Sequence, residues 1–172
     1  DGPDAMRQAR RARGSAARRA SQARSGINTE RAFGVPVPEI RALARPHRRE
    51  HALACTLWRS GWHEARILAA LIADPAQADD ALLEAWAGDC DSWDVTDTLA
   101  GELARRSALA WVKAMAWPDD PREFVRRAGF ALQASLAVHD KAAGDARFAA
   151  CLPLIRRHAG DERNFVKKAV SW

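Results

Sequence analysis

Short interruptions at Pro46, Ser60-Gly61, Asp74-Pro75, residues 88–91, residues 117–121, Gly144-Asp145 and Gly160-Asp161 cut the chain into pieces one helix long. Between them the sequence is rich in Ala, Leu and Arg, all good helix formers, and no window carries the β-branched alternation that a strand needs. The pattern predicts an all-α protein. Helices of roughly 10 to 16 residues joined by short connections fall beside one another as antiparallel neighbours, which leaves a bundle or a helical solenoid.

Repetition favours the solenoid. Phe124-Val125-Arg126-Arg127-Ala128 returns as Phe165-Val166-Lys167-Lys168-Ala169, an offset of 165 − 124 = 41 residues, close to the period of HEAT-type helical pairs. Trp62-His63-Glu64-Ala65-Arg66 and Trp93-Asp94-Val95-Thr96-Asp97 each open a helix with an aromatic followed by charged residues. Stacked repeats bring equivalent helices onto one concave surface, so Glu64, Arg66, Asp97, Arg126, Arg127, Lys167 and Lys168 are expected to form one strip. Such a mostly cationic groove suits a phosphate backbone.

Charge and cysteine content agree with that expectation. The 172 residues carry a formal net charge of +5 and an isoelectric point near 9.7, which favours an anionic partner, nucleic acid before membrane. Cys55, Cys90 and Cys151 are odd in number and far apart, giving neither a disulfide framework nor a Cys-x-x-Cys pair. A reducing, cytoplasmic setting is expected, with no signal peptide and no membrane span. Residues 1–25 are expected to be a basic Arg/Ala-rich helix or arm, and residues 26–172 the helical-repeat domain. After the turn around Gly34-Val35-Pro36-Val37, a helix opening at Pro38-Glu39 is expected to bury Ile40, Leu43 and Ala44.

Within that frame, Trp93 and Asp97 stand at i and i+4 and share a helix face, while Asp94 points elsewhere and supports the start of its helix. An acid beside an aromatic in an Ala/Leu-rich helix needs a reason, because an unpaired buried carboxylate is costly. Asp97 is either salt-bridged to an arginine of the next repeat or lines a cleft. Trp58, Trp62, Trp86, Trp111 and Trp117 are expected in the core. His63-Glu64 lacks a second histidine at i+4 and is expected to be structural. Arg126-Arg127 and Lys167-Lys168 put one member of each pair on any given face, Arg127 and Lys168 being the candidates for function.

These blocks together resemble the AlkD-type DNA alkylation repair glycosylases, which are HEAT-like solenoids. The resemblance rests on residues 34–44, on Leu57-Trp58 followed by His63-Glu64-Ala65-Arg66, on Trp93-Asp94-Val95-Thr96-Asp97, on Phe124-Val125-Arg126-Arg127-Ala128, and on Asn164-Phe165-Val166-Lys167-Lys168-Ala169-Val170-Ser171-Trp172, all in the family's order. It implies removal of N3- or N7-alkylated purines from duplex DNA without base flipping, by a nucleoid-associated cytoplasmic monomer that uses neither cofactor nor metal. The family's catalytic acid falls on Asp97, its sugar-contacting tryptophans on Trp93 and Trp172, and its backbone-contacting arginine on Arg127. Arg126, Lys167 and Lys168 are the further candidate DNA contacts. The chain has no tyrosine, so a tyrosine contact of the family's first helices is not carried over. Further helices beyond Trp172 are expected from the family, as though the domain were truncated there.

One carboxylate suffices for that chemistry. An alkylpurine that is already cationic leaves as a neutral base, so no general acid is required, in contrast to an ordinary O-glycoside. Stabilising an oxocarbenium-like sugar and orienting a water remain. A catalytically inactive HEAT-like module that binds DNA, or a protein scaffold, is the alternative. A lyase needs an amine nucleophile, and no lysine lies near Trp93 and Asp97 in sequence.

Overall fold

The computed structural model describes residues 32–140, 142–161 and 163, and all regular structure among them is helical. Residues 1–25 and the second copy of the repeat motif, 165–169, lie outside the described residues. The chain divides into two compact units, residues 1–78 and 79–172.

In the first unit, α1 (Val37–Ala44) starts one residue before the expected Pro38 because Pro36, held at φ −69° and ψ 147°, already serves as its N-cap. Ile40 and Ala44 are buried, whereas Leu43 is only partly covered. Pro46 ends the helix in a 3-10 turn, and α2 (His51–Arg59) follows. Gly61 takes φ 75° to turn the chain into α3 (His63–Ile72). A side chain there would be strained, which is why glycine stands at this corner. α3 packs against both α1 and α2, and every one of its residues except Arg66 is buried. Such an all-round apolar helix is a core element.

The second unit is built around α7. α4 (Asp80–Asp89) is capped by Asp79, whose carboxylate accepts the Leu82 N–H at 2.9 Å. α5 (Trp93–Thr98) runs into a π-helical turn (Leu99–Leu103) and then a 3-10 turn (Ala104–Arg106). α6 (Ala110–Ala116) ends in the 3-10 turn Trp117–Asp119, and α7 (Glu123–His139) packs against α5, the π turn, α6 and that 3-10 turn. α8 (Asp145–Ala149) and α9 (Leu152–His158) follow, and Leu154 of α9 closes over Phe130 of α7.

The expected breaks are present, with two additions, one at Ala150-Cys151 between α8 and α9 and one between residues 107 and 109. There the Ser107 hydroxyl donates to the Ala104 carbonyl at 2.8 Å and accepts the Leu109 N–H at 3.3 Å. The tryptophan expectation needs correcting at two positions. Trp58, Trp86 and Trp117 are buried, but Trp62 and Trp111 are only partly covered. Trp62 is the N-cap of α3 and stacks on Phe33 with centroids 4.1 Å apart, and Trp111 lines an open cavity. Among the described residues no helix is long and apolar enough to cross a membrane.

Candidate active site

α5 is short, and its hydroxyls turn inward. Thr96 Oγ1 donates to the Ser92 carbonyl and Thr98 Oγ1 to the Asp94 carbonyl, each at 2.7 Å. Both polar side chains are thereby satisfied by the preceding turn. Val95 and Thr96 are buried, as is Asp94, whose Oδ1 accepts the Val95 N–H at 2.8 Å in the first turn. Trp93 and Asp97 share the remaining, partly open face.

Asp97 takes the first of the two sequence alternatives, a salt bridge to an arginine of a later helix, while staying partly exposed. Arg127 of α7 donates Nε to Oδ1 at 2.9 Å and Nη2 to Oδ2 at 2.7 Å, a fork-on-fork pair. The arginine side chain is 4% exposed and the aspartate 28%. The acid is therefore pinned from behind and accessible from the front, and each oxygen keeps a lone pair beyond the one facing the guanidinium. Burial pushes the Asp97 carboxyl above its ordinary value; the hydrogen bonds and charge of Arg127 pull the other way, and the charge of Asp94 adds to the rise.

The cationic expectations change more. Arg127 is spent on Asp97 and is not a surface cation. Arg126 donates Nη1 to Asp161 at 2.6 Å and Nε to the Asp120 carbonyl at 3.0 Å. Arg163 grips the same Asp161 through Nε and Nη2 at 3.2 and 2.9 Å. Arg163 first and Arg126 with it hold the Asp161 carboxyl well below the usual carboxylate range. Glu64 leaves the strip altogether. It is fully buried, accepting the Phe33 N–H at 2.9 and 3.2 Å and the Val35 N–H at 3.0 Å. Three hydrogen bonds to the turn before α1 explain a buried charge that helix periodicity does not foresee. Arg66 lies 5.2 Å over the Trp58 ring and donates to the Trp58 carbonyl at 3.3 Å. Trp172, Lys167 and Lys168 lie outside the described residues. Among the described residues no cluster of His, Cys, Asp or Glu is placed to hold a metal.

A model of the DNA alkylation repair enzyme family matches residues 6–172. The chain belongs to that family. A solved structure described as "A new family of proteins related to the HEAT-like repeat DNA glycosylases with affinity for branched DNA structures" superposes with a TM-score of 0.82, covering 97% of this chain and 72% of its own at 21% identity. Its likeness establishes the HEAT-like helical-repeat fold for this member of the alkylation repair family. No curated protein matches the sequence.

Proposed function

We propose that this alkylation repair family member is a monofunctional DNA glycosylase that hydrolyses the N-glycosidic bond of cationic N3- or N7-alkylpurines in duplex DNA. The observation that supports it most is the Asp97 carboxylate, held by a buried guanidinium, one helical turn from Trp93 and partly open to solvent. The C1′–N bond breaks with its electron pair moving onto the cationic purine, which leaves neutral. Positive charge develops on the sugar, and Asp97 faces it as a fixed anion. A water adds at C1′ and gives its proton to Asp97 or to solvent, leaving an abasic sugar and the free base. Trp93, and Trp172 by the family resemblance, present indole faces to the developing cation, each contributing about 0.5–2 kcal/mol. Arg127 is a positioning residue whose two hydrogen bonds fix the orientation of the carboxylate.

With Arg126 and Arg127 committed to ion pairs, phosphate contacts are assigned to the other candidates of the sequence pattern, Lys167 and Lys168. A second reading is a module that binds DNA without cleaving it, favoured by the Arg127 guanidinium that already engages both Asp97 oxygens and by the branched-DNA affinity named for the related structure. Incubation of N7-methylguanine duplex with wild type and Asp97→Asn separates the two. Release of free base by wild type, greatly reduced in the variant, supports the glycosylase. Tight DNA binding with no release by either supports the binding module.

A further inference from the structure

A cavity of about 460 Å³ opens in the second unit, away from Asp97, between the 3-10 turn after α5, α6, the C-terminal end of α7 and α8. Trp111, Arg105, Arg147, Leu136, His139 and Asp140 line it. Arg127 and His139 stand at opposite parts of α7, about 18 Å apart along the axis at 1.5 Å per residue. The cavity is therefore distinct from the Trp93–Asp97 face.

Its lining combines a fixed aromatic surface with unpaired positive charge. The Trp111 Nε1 donates to Asp140 Oδ2 at 2.8 Å, Phe148 meets its ring edge-on at 5.3 Å, and the Arg147 guanidinium lies 5.2 Å from the ring centroid. The indole is held from several sides yet only partly covered. Asp140, the one acid in the lining, is occupied twice, since Oδ1 also accepts the Ala143 N–H at 3.1 Å. In this unit Arg106, Arg122, Arg126, Arg127, Arg157 and Arg163 are each ion-paired. Arg105 donates Nε to the Gly101 carbonyl at 2.8 Å and Arg147 sits on Trp111, and neither meets a carboxylate among the described residues. Of the nine arginines in this unit six are ion-paired; of the other three, Arg156 is exposed and lies outside the cavity lining, and the remaining two line one pocket with a tryptophan.

We propose that this cavity binds a nucleotide with an unstacked base, the base lying against Trp111 and its phosphate between Arg105 and Arg147. A base stacked on an aromatic ring and a phosphate on guanidinium groups are the two contacts by which single-stranded nucleic acid is held without sequence preference. A duplex with every base paired cannot supply that nucleotide, whereas a gap, an overhang or a free mononucleotide can.

The test measures anisotropy of labelled intact duplex and of the same duplex carrying a three-nucleotide gap, with dAMP titrated separately against intrinsic fluorescence. Wild type, Trp111→Ala, Trp111→Phe and Arg147→Gln are compared. The expected result is tighter binding of the gapped duplex, its advantage falling roughly tenfold in Trp111→Ala and Arg147→Gln and largely kept in Trp111→Phe. Arg147 is exposed, so its variant reports even if Trp111→Ala folds poorly. Quenching by dAMP that needs Trp111 assigns the pocket to a free nucleotide as well; a gap preference without it assigns the pocket to a strand. If neither ligand shows binding that depends on Trp111 and Arg147, the proposal is wrong. Base release from intact alkylated duplex is expected to be unchanged in Arg147→Gln, so this result stands apart from the fate of the glycosylase reading.

Discussion

At the scale of the residue, the Asp97–Arg127 pair is asymmetric, and the asymmetry has consequences. Removing the acid leaves a guanidinium, 4% exposed, that cannot shed its charge. Removing the arginine leaves a carboxylate that water reaches and that can take up a proton. Asp97→Ala is therefore expected to lower stability by about 3 kcal/mol, and Arg127→Met by roughly half as much, as read from urea unfolding. The same pair governs pH dependence. The working form of Asp97 is the anion, so base release falls as pH drops through its pKa, which burial raises above 3.8. Arg127 opposes that rise, so Arg127→Gln is expected to move the acid limb of the rate profile to higher pH, and Arg127→Lys to return part of the shift. A limb that stays in place would remove Arg127 from its positioning role.

At the scale of the element, α7 is the part that carries Arg127, and Gly129 sets its seat. A Cβ built on Gly129 would lie 2.4 Å from Pro118 Cδ and 2.5 Å from the Pro118 backbone nitrogen. Proline cannot yield there, so Gly129→Ala must move α7 away from the 3-10 turn. A loss of about 2–3 kcal/mol is expected from overpacking in a thermal or urea melt, with base release reduced beyond what the unfolded fraction accounts for. Much of the helical plan was legible because Pro46, Gly61, Pro75 and Pro118 punctuate it with residues whose backbone preferences are strong. The π turn at Leu99–Leu103 and the break at Ser107 were not. Residues 99–110 are good helix formers with one glycine, so local preference says continue, and packing against α7 decides otherwise. Glu64 was misplaced for a related reason: helix spacing gives the face of a side chain but not the distant Phe33 and Val35 N–H groups that donate to it.

At the scale of the whole molecule, internal pairing decides which cations are free. Arginines committed to Asp97, Asp119, Asp120 and Asp161 are matched by those acids, so the net charge of +5 is carried by cations other than the Arg126 and Arg127 that the sequence pattern singles out. Trp93 and Asp97 were legible as a shared face, with an arginine of the next repeat as one alternative for the acid; which arginine was not legible, since it lies 30 residues away on another helix. Phosphate contact by only a few cations is expected to show as a shallow salt dependence: log affinity for intact duplex against log salt should slope at about −2 to −4, at roughly −0.9 per phosphate neutralised. A much steeper slope would mean that the internal ion pairs open to meet DNA.

The central claim is that the Asp97 carboxylate stabilises the departing sugar cation. Single-turnover release of N7-methylguanine from duplex DNA, with enzyme in excess, measures it most directly in wild type and Asp97→Asn. A rate at least about a hundredfold lower in the variant, with duplex affinity within a few-fold of wild type, is expected if a preorganised charge is lost. Equal rates in the two proteins, or no release above the spontaneous rate by either, would contradict it.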